Sequence, residues 1–167
     1  MWTDARPLTV RMPPSTRGYT MVELVVVLVL VGILAAMAVP KFGAALAARD
    51  EGWRDALMGG LRYAQKSAVS HRRLVCVDIG ASSVTLNIAS ANPASSCNTP
   101  LQGPGGSHVY ATASTSPGTA VSPAGTLYFQ PDGRVTSDGA GTTAANRAIT
   151  AAGVATINIV GETGYVE

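Results

Sequence analysis

The sequence predicts an α+β fold, with one long N-terminal helix packed on a small antiparallel β-sheet domain. Three observations predict it. From Met21 to Val39, nineteen residues run with Glu23 as the only charged side chain. Trp53, Leu57, Leu61, Ala64 and Ala68 then recur at steps of four, four, three and four, the spacing of one helix face. From Leu74 onward the chain turns to Gly, Ser, Thr, Ala and Val, with apolar residues at alternate positions, the period of half-buried strands.

Taken in order, residues 1–18 hold Arg6, Arg11, Arg17, Asp4, Pro7, Pro13 and Pro14. No apolar stretch precedes Gly18, so this is not an ordinary secretory signal. At ~1.5 Å per residue, the run Met21–Val39 spans roughly 28 Å, about one hydrocarbon core. A carboxylate placed there costs ~2.5–3.5 kcal/mol on insertion scales, so Glu23 needs a partner. Pro40, Gly43 and Gly52 weaken the helix beyond this run, and Asp50 and Glu51 suit a fresh turn. The expectation is one bent helix from about Thr20 to Ser70, locally melted between Gly32 and Gly43. The stripe Trp53–Ala68 reads as core packing, with Arg54, Arg62 and Lys66 off it.

The strands come next. Val75, Val77 and Ile79 alternate with Cys76 and Asp78, and Val84, Leu86 and Ile88 alternate with Thr85 and Asn87. Gly80-Ala81-Ser82-Ser83 joins these into a hairpin. Leu127-Tyr128-Phe129 is a third strand, Pro131-Asp132-Gly133 a turn, and Arg134-Val135 the return. Thr156–Val160 and Gly164–Val166 supply the last strands. Residues 90–125 carry five of the ten prolines and read as loop, crossed by a short strand at His108–Ala111. The chain beyond the helix suffices for one small β domain whose core the helix stripe completes.

Gly18-Tyr19-Thr20-Met21-Val22-Glu23-Leu24 resembles the cleavage and methylation site of type IV prepilins and type II secretion pseudopilins. The resemblance covers about residues 1–48. It implies that a prepilin peptidase cuts after Gly18 and that the new N-terminus, Tyr19, is N-methylated; the family usually has Phe there. It puts Glu23 at the fifth mature position, where it sets register in assembly. Pro40 falls at the twenty-second, where a proline bends the helix. The chain then divides into a cleaved leader (1–18), a hydrophobic transmembrane or filament helix (19–48) and an extracytoplasmic pilin-like domain (49–167) that includes the C-terminal half of the helix.

Three of the twelve Lys/Arg and one of the ten Asp/Glu lie in the leader, so nine of each remain. Bulk attraction to polyanions is therefore not indicated. Basic residues flank both ends of the apolar run, Arg6, Arg11 and Arg17 on one side and Lys41, Arg49 and Arg54 on the other, and charge alone leaves the orientation open. The resemblance places the leader in the cytoplasm. It implies a single pass through the inner membrane, a C-terminal domain in the periplasm, and incorporation in a pilus or pseudopilus. Cys76 and Cys97 have twenty residues between them, which fits no metal-site spacing. In an oxidising compartment a disulfide is the natural reading, stabilising by ~3 kcal/mol for such a loop. Two free thiols are the alternative.

Leu61-Arg62-Tyr63-Ala64-Gln65-Lys66-Ser67-Ala68 and Leu127-Tyr128-Phe129-Gln130-Pro131-Asp132-Gly133-Arg134-Val135 resemble the helix end and the hairpin of the FimT/GspH group of minor pilins and pseudopilins. The helix end and the cysteine placement are also similar to MshC-type minor pilins of mannose-sensitive haemagglutinin pili. The expected function is that of a minor pilin or pseudopilin, a structural subunit in assembly of a type IV pilus or type II secretion pseudopilus. The expected partners are the prepilin peptidase, other major and minor pilins or pseudopilins, and the inner membrane.

No catalytic residue, cofactor or metal is expected. His71 and His108 are the only histidines and form no spaced ligand set. No Gly-x-Ser-x-Gly, Walker or dinucleotide loop occurs. Asp132 and Asp138 read as turn formers rather than calcium ligands. The alternative function is a DNA-binding FimT-like minor pilin in DNA uptake. Such DNA binders resemble one another in a C-terminal Gly-Arg-x-Arg, and the matching positions here read Gly164-Tyr165-Val166-Glu167. Both arginines are absent, so nucleic acid is not an expected partner. A third reading is an anchored domain that joins no filament.

Overall fold

The computed structural model describes residues 18–114 and 117–167, with backbone alone at 39–44 and 46. The expected leader, apart from Gly18, lies outside the described residues, as does the ring of Pro40. Helix α1 runs from Met21 to His71. Thr20 caps its start: the Thr20 hydroxyl accepts the Glu23 N–H at 3.2 Å and the Thr20 carbonyl accepts the Leu24 N–H at 3.1 Å. At the other end Arg72 takes a left-handed conformation at φ 51°. The Arg72 and Arg73 N–H groups return to the carbonyls of Val69 and Ala68 at 3.3 and 3.1 Å. This is the paired closure of a Schellman cap, with arginine where glycine is usual.

The expected melting between Gly32 and Gly43 does not occur, and the backbone is helical throughout. The physical reason is cooperativity. Pro40 removes one hydrogen bond and the glycines cost about 1 kcal/mol each. Interrupting the helix would also require a second nucleation, costing about 4 kcal/mol from a nucleation constant near 10⁻³.

The chain divides into two compact units, with the boundary between Phe42 and Gly43. In the first, Met21–Ala38 has a mean hydropathy of 2.8, with none of it buried inside the protein. By length and composition this helix can cross a membrane.

Among its described residues the second unit carries ten strands: β1 Val75–Ile79, β2 Ser83–Ile88, β3 Thr99–Pro100, β4 Val109–Thr112, β5 Ala120–Ser122, β6 Leu127–Phe129, β7 Val135–Thr136, β8 Arg147–Thr150, β9 Ile157–Val160 and β10 Tyr165–Val166. They form two antiparallel sheets. One has the order β3-β2-β1-β6-β7, with β4 also pairing β2; the other has the order β10-β9-β8-β5. The expected hairpin holds in register from Val75↔Ile88 to Ile79↔Val84, and the Gly80 N–H closes it on the Ser83 carbonyl at 2.8 Å. The sheets are tied where the Val135 N–H donates to the Gly161 carbonyl at 2.8 Å.

All five residues of the helix stripe are buried, Trp53 at 6% exposure and Leu61, Ala64 and Ala68 at 0%. They pack with Val77, Leu86 and Phe129 of the first sheet and Ile149, Ile157 and Ile159 of the second. At ~25 cal/mol per Å² of apolar surface, each large side chain here contributes about 1.5–3 kcal/mol of burial. A smaller cluster of Leu74, Cys76 and Ala89 is packed by Ala94, Cys97 and Tyr128. The sequence reading missed β3, β5 and β8. The first two are only two and three residues long and sit at sheet edges inside the stretch read as loop. In β8, Arg147 occupies a buried position where an apolar residue would signal a strand.

Candidate functional site

Gly18, Tyr19 and Glu23 sit together at the start of α1, all exposed, ahead of an apolar surface that stays exposed through Met37. Tyr19 is 82% exposed, Met21 85% and Val22 72%. Such a band of apolar surface, far larger than a monomer in water tolerates, needs lipid or other helices around it. Glu23 is the acidic residue of the first helical turn, where the macrodipole favours negative charge. Thr20-x-x-Glu23 is also a capping-box pattern, a local role that sequence reasoning overlooked although the signal was plain.

Cys76 and Cys97 form a disulfide with a Cα–Cα separation of 5.9 Å, so the two-free-thiol alternative is excluded. The bridge pins the loop after β2 back onto β1. Asn98 holds the same loop, accepting the Ser90 N–H at 3.0 Å and donating to the Ser90 hydroxyl at 3.0 Å.

The other singled-out residues act locally. His71 and His108 are exposed and lie far apart along the fold, one at the end of α1 and one before β4. Asp132 pairs with Arg134 at 2.7 Å across the β6–β7 turn. Asp138 accepts from the Thr142 hydroxyl at 2.6 Å and the Ser137 hydroxyl at 3.3 Å. Among the described residues, no three His, Cys, Asp or Glu side chains converge as a metal site would need. Arg147 is 6% exposed and spends one N–H on the Pro123 carbonyl at 2.9 Å, while its Nε–H has no partner. At Gly164–Glu167, β10 pairs β9 through Tyr165↔Val160, and Tyr165 and Glu167 face outward.

Residues 14–39 match the family model described as the prokaryotic N-terminal methylation motif. The chain thus carries the N-terminal methylation motif of type IV prepilins. No curated protein matches it. Among solved structures, the type IV minor pilin FimU of Pseudomonas aeruginosa (strain PAO1) is similar at 17% identity and a TM-score of 0.47. The match covers 70% of this chain and 87% of that one.

Proposed function

We propose that this chain is a minor pilin or pseudopilin, a structural subunit that enters or primes a type IV pilus or type II secretion pseudopilus. The observation that carries the reading is the methylation motif over residues 14–39, together with a helical segment Met21–Ala38 of which none is buried inside the protein. In this reading a prepilin peptidase cuts after Gly18, and Tyr19 becomes a methylated N-terminal amine. Residues 19–48 hold the chain in the inner membrane by a single pass. The domain 49–167 stands in the periplasm, and Pro40 bends the helix.

Glu23 then has a specific task. In lipid, the Tyr19 ammonium and the Glu23 carboxylate are each costly alone, and pairing between neighbouring subunits relieves both. Pairing with the first residue of the next chain would set axial register, while the apolar run packs against equivalent helices.

The test separates this task from simple helix capping. Glu23→Gln keeps side-chain size and the amide oxygen that a capping box can use, and removes only the charge. Cells lacking the native copy would be complemented with Glu23→Gln or Glu23→Val. Cleavage after Gly18, read by mass spectrometry, is expected to continue. Filament formation or secretion is expected to be lost with both variants. Normal assembly with Glu23→Gln at normal protein level would reduce Glu23 to a capping residue and defeat the register mechanism.

A further inference from the structure

We propose that Thr20 is a positioning residue for the cut after Gly18: as the cap of α1 it holds the helix start at Met21 and keeps the Gly18–Tyr19 bond open to the peptidase. The inference rests on the subunit reading above and names the residue that makes its processing site cleavable.

The hydrogen bonds show what Thr20 competes with. In a helix each N–H donates to the carbonyl four residues back. Run further toward the N-terminus, α1 would bond the Glu23 N–H to the Tyr19 carbonyl and the Val22 N–H to the Gly18 carbonyl. Instead the Glu23 N–H donates to the Thr20 hydroxyl at 3.2 Å, and the Leu24 N–H to the Thr20 carbonyl at 3.1 Å. Neither the Gly18 nor the Tyr19 carbonyl accepts a backbone hydrogen bond among the described residues. Gly18, Tyr19 and Thr20 are non-helical and exposed. Hydrolysis adds water across the Gly18–Tyr19 amide, leaving a Gly18 carboxylate and a Tyr19 amine. The attack falls on the Gly18 carbonyl carbon, which a wound and hydrogen-bonded backbone would not present.

Gly18 alone is not the stop. Helix α1 runs through Gly32, Gly43, Gly52, Gly59 and Gly60 without a break. Inside lipid an unbonded N–H is costly, so a helix runs on until its donors are capped. Ser15 and Thr16 lie upstream, and both are cap residues. A helix capped at Thr16 would take Gly18 and Tyr19 into its first turn and give the Gly18 carbonyl to the Val22 N–H. The cap at Thr20 needs only the backbone N–H of residue 23. Cutting is therefore separable from the Glu23 charge, and Glu23→Gln leaves the stop in place.

The experiment follows the full-length precursor by pulse-chase, in membranes of cells that co-express a prepilin peptidase, with the product identified by mass spectrometry. Thr20→Val keeps the side-chain shape and removes the acceptor. Its cleavage is expected to slow about fivefold, the population change that loss of an ordinary cap brings. Thr20→Ser keeps the acceptor, and Thr20→Gly is an adequate cap with no hydroxyl, so both should be cut within about twofold of the parent rate. In detergent, the carbonyl-carbon NMR shift of Gly18 in the uncut chain should move toward helical values in Thr20→Val and not in the other two.

Equal slowing in Thr20→Val and Thr20→Gly would mean that the peptidase reads the hydroxyl itself, which overturns the positioning role. Slow cutting of Thr20→Val without the Gly18 shift would overturn it too. If the parent chain is cut after Gly18 and all three variants are cut alike, this inference fails and the subunit reading stands. If the parent chain is not cut there, both fall.

Discussion

Asp132 shows what a single carboxylate does in this fold. It closes the β6–β7 turn by accepting the Arg134 N–H at 3.0 Å and pairing with the Arg134 guanidinium at 2.7 Å. Partial burial pushes its pKa up, but the hydrogen bonds from the Arg134 N–H and guanidinium outweigh this and hold it below the usual carboxylate range. The Thr142 hydroxyl does the same for Asp138, helped by the Thr142 N–H and the Ser137 hydroxyl. A folded pKa below the unfolded one adds stability that is fully present above the unfolded value. That stability fades as pH falls through the folded value. Asp132 is half-exposed, so its pair contributes little at neutral pH. Carboxyl-carbon NMR titration should place both midpoints below about 3.9, the free aspartate value. Arg134→Ala should return Asp132 toward it and leave Asp138 alone. An Asp132 midpoint that ignores Arg134→Ala would disprove the pairing.

At the scale of elements, α1 was the most legible part of the sequence, because the stripe from Trp53 to Ala68 keeps one period over four turns and every member is buried. The β1–β2 hairpin was legible for the same reason at period two. The methylation motif was legible because a run so apolar holds so few charges that one carboxylate stands out. The features that stayed hidden depend on contacts distant in sequence. Gly59-Gly60 looks like a defect in a helix, yet it makes room for Tyr110 of β4. A Cβ on Gly60 would meet Tyr110 Cδ1 at 3.0 Å, and one on Gly103 would meet the opposite ring edge, Cδ2, also at 3.0 Å. The ring is held between two glycines and cannot retreat from either. Gly60→Ala gains about 1 kcal/mol of helix propensity but overpacks at about 1–3 kcal/mol, so it should be mildly destabilising. In a Tyr110→Ala background the same change should become stabilising. Thermal melting of the four proteins of this cycle, in one detergent, measures the coupling, and additive effects would show that Tyr110 does not dictate the glycines.

For the whole molecule, charge placement is where the filament-subunit and nucleic-acid-receptor readings make different predictions. Without residues 1–18 the chain is balanced, with nine basic and nine acidic side chains, so no long-range field draws a polyanion. The cations that could act together are Arg62, Lys66, Arg72 and Arg73, all exposed at the end of α1. The C-terminal hairpin offers Tyr165 and Glu167 instead of arginines, and Arg147 is buried. Four phosphate contacts give a slope of log K against log salt of about −3.6, so affinity should drop roughly 150-fold between 50 and 200 mM salt. Duplex DNA should therefore bind the mature protein weakly at low salt and not detectably at physiological salt. Arg62→Glu with Lys66→Glu should remove even the weak binding. A gel shift at sub-micromolar protein that survives 200 mM salt would need more cations than this surface presents. It would move the chain to the receptor reading.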